Sequence, residues 1–342
     1  MRRNWKKSIT LILIVGLFMV LAQGCAPAPA PAPAPKTVEF PTKPITIIVP
    51  WGPQSWGFLQ TQELAVALEP LLGVRVLVEA MPGGASAVGT KFVKEAAPDG
   101  YTLLNGWVAG LAVQPLFQDP PGPGYDVLQD FELLAHFTES PVVAISKADA
   151  PWNTMAEFIA YVRANPGKSF AFSGGPALSV HSLFGGQIFR DAGVDVKGIF
   201  YDDAAAAGAA MMAGDVHVAF DSFASVERYG KDKVKAIGVL AERRFPGFDD
   251  IPTIAEQGIK TPTVPSWSGI LAPKGLPQEV KDKLNQALKQ VLTSEGFRQK
   301  IFTNMRWYVT YKDGDGLKAR IEASKEQLRE PIARQKAAQA KR

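Results

Sequence analysis

Cysteine, histidine and net charge are scarce in this sequence. One cysteine, Cys25, and three histidines stand among 342 residues. That excludes a disulfide scaffold and a Cys/His zinc centre. No nucleophile elbow, dinucleotide fingerprint, phosphate loop, HExxH helix or CxxC pair occurs. His136, His181 and His217 have no second His or Cys at metal-ligand spacing. Catalysis needs positioned acids, bases or nucleophiles, and none is evident. No catalytic residue, metal or cofactor is therefore expected, and the chain does not read as an enzyme.

The net charge of +4 is also misleading. Of the 37 basic residues, Arg2, Arg3, Lys6 and Lys7 precede Cys25; the remaining 33 equal the 33 acids. Nucleic-acid binding needs a concentrated basic face, so it is not expected. The basic run Arg334, Lys336, Lys341, Arg342 reads as a frayed helix end. With 46% hydrophobic and 20% charged residues, the chain is neither disordered nor a multi-span membrane protein. Its length suggests two domains.

What is present begins with a targeting segment. A basic stretch precedes the apolar run ITLILIVGLFMVLA at 9–22. That is shorter than the roughly 20 residues a spanning helix needs, so 1–24 read as a signal peptide. Cys25 follows in LAQGC, which resembles a bacterial lipobox, with Ala22 where Leu is usual. Cys25 is accordingly expected to be lipidated. Residues 26–35, APAPAPAPAP, favour extended polyproline II, a spacer between a membrane anchor and the body. The mature protein is placed outside the cytoplasm, held to a membrane by its lipid.

From residue 43 strands and helices alternate. Strands are expected at 45–50, 74–79, 101–106, 141–146, 169–175, 198–201, 216–222, 234–240 and 268–273. Helices are expected at 59–72, 88–96, 154–164, 179–192, 204–213, 277–293 and 316–336. The pattern gives an α/β chain with parallel βαβ units and two hinged bodies. The expected boundaries are 25–38 for the linker, 39–139 with 265–342 for domain 1, and 140–264 for domain 2.

One device recurs: a strand, a small-residue turn, then a helix start. It occurs at 50–57, 82–87, 173–179 and 203–206. Such turns direct free N–H groups and the positive helix end toward a cleft, which suits carboxylates.

The blocks PTKPITIIVPW, VLVEAMPGGASAVGTKFVKEAAPDGYTLL, IPTIAEQGI and SWSGILAPKGLPQEVKDKLNQAL resemble the Bug family, the extracytoplasmic receptors of tripartite tricarboxylate transporters. The likeness spans 39 to about 330. It implies a two-domain periplasmic-binding-protein (Venus flytrap) fold, mixed mainly parallel sheets hinged by crossing strands, and a small organic acid as ligand. It implies delivery to integral-membrane permease subunits, by a receptor expected to be a monomer. The rival roles are sensing for a membrane kinase and, less favoured, an extracytoplasmic enzyme. The resemblance places ligand contacts at Trp51, Trp56 and Phe58, at Gly84, Ala85 and Ser86, and at Trp107. In the second domain it places them at Ser173, Gly174, Ser179, His181, Ala204 and Asp221. Ser173 and Ser179 are expected to clamp the carboxylate with the backbone of Gly174, Gly84 and Ala85.

Three departures bear on specificity. The family's usual P-x-G-G-x-x-D loop is Pro53-Gln54-Ser55-Trp56-Gly57-Phe58 here. Trp107 replaces a small polar residue, and Asp202-Asp203 replace a Lys-Gly. An aromatic or extended apolar acid is therefore expected over citrate.

Overall fold

The apolar run ITIIV forms β1 (Ile45–Val49), whose side chains are almost wholly buried. The structure, a computed structural model, describes residues 39–118, 123–261 and 263–340. The expected signal peptide, Cys25 and the Ala-Pro stretch lie outside the described residues. Beside β1 run β2 (Val76–Ala80) and β3 (Thr102–Trp107), both parallel to it. The first sheet is completed by β4 (Phe131–Ser140), β10 (Ser266–Pro273) and β11 (Tyr308–Asp313), in the order β11-β4-β10-β3-β1-β2. The second sheet holds β5 (Val142–Lys147), β6 (Ala171–Ser173), β7 (Lys197–Gly198), β8 (Val218–Asp221) and β9 (Val234–Leu240), in the order β7-β6-β8-β5-β9.

Both sheets are mixed. Parallel pairing holds β1 to β2 and β3, and β6 to β7 and β8; the other pairs are antiparallel. The antiparallel strands are the ones next to the crossings. The chain leaves β4 at Ser140 and enters β5 of the other sheet at Val142. It returns from β9 to β10, which pairs with both β3 and β4.

Helices cover both sheets. They are α1 (Trp56–Leu72), α2 (Ala87–Glu95), α3 (Met155–Ala164), α4 (Val180–Asp191), α5 (Ala204–Ala213), α6 (Ala224–Tyr229), α7 (Gln278–Thr293), α8 (Glu295–Met305) and α9 (Gly314–Ala340). Pro70 lies in the last turn of α1, which ends on Gly73 in the left-handed region (φ 73°). Glycine adopts that conformation without a Cβ penalty. Helix α9 does not fray at Arg334, contrary to expectation: its guanidinium pairs with Asp191 of α4 at 3.3 Å. Among the described residues no helix is long and apolar enough to cross a membrane.

Strands β4 and β11 were not foreseen. β4 is a central strand whose sequence, FELLAHFTES, hides its burial behind polar residues. Those residues have partners inside. Thr138 donates to Gln60 Oε1 at 2.8 Å and meets Ser268 Oγ at 3.0 Å. His136 Nδ1 lies 2.7 Å from the Thr310 carbonyl and donates to it. Burial pushes His136 down to about 4; the Thr310 bond opposes this, and Arg320 and Lys312 add to the fall.

His136 sets a pH expectation. In the unfolded chain it protonates near its ordinary 6.5, whereas in the fold it stays neutral to about 4. The unfolded state therefore binds more protons across this window, and stability falls as pH drops from 6.5 to 4. The full loss is about 3 kcal/mol. Urea midpoints between pH 7 and pH 5 should fall, and His136→Gln should flatten the decline. An unchanged slope in the variant would assign the acid sensitivity elsewhere.

Candidate functional site

Three helix starts face one cavity of about 80 Å³ between the two sheets. Ser55 caps α1, accepting from Phe58 N–H at 3.2 Å. Ser179 caps α4, accepting from Ser182 N–H at 3.1 Å. Asp203 caps α5, accepting from Ala206 N–H at 2.8 Å. All three caps line the cavity, with Trp56, Val180, His181 and Ala204 just inside their helices. The first N–H groups of a helix have no intrahelical partner, so three partly positive helix ends converge here. The fourth turn is built differently: Gly83, Gly84, Ala85 and Ser86 all have positive φ, so left-handed backbone replaces a side-chain cap.

The other walls are indoles and carboxylates. Trp51, Trp56, Trp107 and Trp307 line the cavity. Trp107 meets Trp307 edge-on, with centroids 5.3 Å apart at 80°, a favoured aromatic geometry. The Nε1 atoms of Trp56, Trp107 and Trp307 are buried with no hydrogen-bond partner among the described residues. Asp221, 3% exposed, accepts from Ser222 N–H at 2.7 Å and from the Ser225 hydroxyl. His181 has an unpartnered Nε2; burial lowers its pKa and Asp221 partly offsets this. Among the described residues no lysine or arginine lines the cavity.

A second opening of about 830 Å³ adjoins the first, sharing Trp51, Pro176 and Asp203 with it. Gly84 and Ala85 line this outer part, opposite Pro176, Tyr201 and Asp202. The site thus has a small aromatic interior and a wider vestibule. Arg228 of α6 joins the two sides: its guanidinium lies 4.1 Å over the Trp56 ring and donates to the Gln54 carbonyl at 3.3 Å.

Several expected contacts belong to one space. Trp51, Trp56, Trp107, Gly174, Ser179, His181, Ala204 and Asp221 line the interior, and Gly84 and Ala85 the vestibule. Phe58, Ser86 and Ser173 line neither. Phe58 is two positions beyond Trp56 on α1, and 100° per residue turns it away. Ser86 is fully buried, against Gly110. Ser173 is the last residue of β6, fully buried, and accepts only a 3.4 Å contact from Gly175 N–H. Strand alternation sends its side chain opposite to the position of Gly174. The Ser179 hydroxyl is also engaged, donating to the Gly174 carbonyl at 2.8 Å. In this structure both serine hydroxyls are thus engaged with backbone of their own loops. Trp307 and Ser266 were missed. Trp307 sits between α8 and β11, and β11 gave no strand signature to flag it.

A model of the tripartite tricarboxylate transporter family receptor matches residues 61–332. The chain belongs to this family. Its members are solute-binding receptors and not enzymes. A UPF0065 protein of Bordetella pertussis is 33% identical over 268 residues, covering 78% of this chain and 81% of that protein. The periplasmic binding protein BugD is similar in structure, with TM-score 0.78 and 27% identity over 86% of this chain and 98% of BugD. An R. palustris protein solved with adipate shares the fold at TM-score 0.79 and 22% identity, over 86% of this chain and 98% of its own. The receptor fold is therefore two α/β lobes around a cleft, which is where the cavity lies.

Proposed function

We propose that this receptor works outside the cytoplasm, closes its lobes on a small carboxylic acid and passes it to an integral-membrane permease. The observation that supports this most is the meeting of three helix starts at one cavity without a lysine or arginine. That is a carboxylate site built from backbone. The bodies that close are taken as 39–139 with 265–342, and 140–264. The four tryptophans favour an aromatic or extended apolar acid over citrate.

A thermal-shift series with benzoate-type acids, adipate, malate and citrate tests the reading. A ligand that binds only the native state, at a hundred times its Kd, stabilises it by about 2.7 kcal/mol. An aromatic or apolar acid should raise Tm most, and scattering should show a smaller radius of gyration with it. Citrate giving the largest shift would overturn the apolar preference. No shift with any acid would overturn the carboxylate reading.

We also propose that Cys25 carries the lipid and that the protein acts as a monomer at the membrane surface. Cys25→Ser should move the protein from the membrane fraction to the soluble one. Wild-type protein that mass spectrometry finds unacylated would end this idea.

A further inference from the structure

The cavity holds two opposite unmet needs. Its donors are the unpartnered indole N–H groups and the starts of α1 and α4. Its acceptors are two carboxylates, Asp221 and Asp203. Asp221 is almost fully buried, and neither it nor Asp203 has a lysine, arginine or histidine ion pair among the described residues. Asp221 has one hydrogen bond to each oxygen, from Ser222 and Ser225. Asp203 spends Oδ1 on its cap, while Oδ2 faces Gly52 at the junction of interior and vestibule. A buried carboxylate without a countercharge is costly unless something supplies one.

His181 is a poor countercharge, because burial disfavours its charged form. Arg228 stands outside the lining, committed to Trp56 and Gln54. A plain mono- or dicarboxylate would bring more negative charge toward Asp203 and Asp221. Indole faces, by contrast, attract a cation within about 6 Å of the ring, and desolvation strengthens the attraction.

We infer that the solute of this receptor is a zwitterion, a carboxylic acid that also carries a positively charged nitrogen. This rests on the receptor reading above and narrows its ligand. The carboxylate meets the helix starts and the indole N–H groups. The nitrogen sits among the tryptophan faces, where Asp221 and Asp203 balance its charge. The interior suits the two charged groups, and any apolar side chain extends into the vestibule.

Isosteric pairs isolate the charge. Trimethylglycine and 3,3-dimethylbutanoate differ in one atom, nitrogen for carbon. Phenylalanine and 3-phenylpropanoate differ in the ammonium group. Calorimetry on the full-length protein should show the nitrogen-bearing member binding at least tenfold tighter in one or both pairs. Asp203→Asn retains a competent cap, and Asp221→Asn retains size. Each should shrink that gap to threefold or less. The inference is overturned if the carbon analogues bind as tightly in both pairs, or if adipate binds and no member of either pair does. It is also overturned if the gap survives in both variants. If no acid binds, adipate included, the receptor reading fails first and this inference with it.

Discussion

Trp107→Ala should remove ligand binding and destabilise the fold by about 3–5 kcal/mol. Trp107 ends β3, is 6% exposed, and has two neighbours that fix it. Trp307 holds one side edge-on. Gly57 holds another: a Cβ there would lie 2.7 Å from Trp107 Cζ2. Alanine leaves a void between β3 and the start of α1, so both the wall of the cavity and the core of the first lobe are lost. Chemical denaturation and calorimetry measure the two effects separately. Trp107→Phe should recover most of the stability and part of the affinity. Full affinity in the alanine variant would show that the cavity is not where solute binds.

Gly174→Ala should also be damaging although it adds a single methyl. The new Cβ would lie 2.5 Å from Ser182 N and 2.6 Å from the His181 carbonyl carbon. Both are backbone atoms of the first turn of α4, so no side chain can swing aside. Overpacking of this kind costs typically about 1–3 kcal/mol. It also pushes the start of α4 away from the cavity, and affinity should fall about a hundredfold or more, as a displaced carboxylate site implies. Denaturation curves and ligand titration check both. A variant with wild-type affinity would remove the start of α4 from the binding machinery.

The two lobes were legible because their strands are short apolar runs ended by glycine, proline or a capping residue. ITIIV, VVAIS and VHVAFDS announce burial without needing their partners. Three of the four turns were readable for the same reason: Ser55, Ser179 and Asp203 are good caps, and each caps a helix. β4 was illegible because His136, Thr138 and Glu139 are satisfied only by residues far along the chain, at Thr310, Ser268 and Arg320. Local periodicity cannot report such partners. Ser173 and Phe58 stand apart from the cavity lining although their loops border it. Loop position is legible in sequence, but strand alternation and helix phase decide which side chain faces the cavity. Trp307 joins the site only through the first sheet's folding, from 200 positions beyond Trp107.

Helix α9 has a consequence for unloading. It spans about 40 Å at 1.5 Å per residue and is fixed to the first sheet by Trp267 Nε1 donating to Ser324 Oγ at 2.9 Å and by Arg320 with Glu139 at 3.3 Å. Further along, Leu328 and Ile332 are buried in the core shared with α4, and Arg334 reaches Asp191. A receptor joined by two strands alone would wander among many separations, and its affinity would be diluted by the time spent unable to close. A helical brace across both lobes reduces that dilution. If the lobes close on a solute as proposed, the same brace opposes their reopening, and spontaneous release should be slower than from a receptor joined by two strands alone.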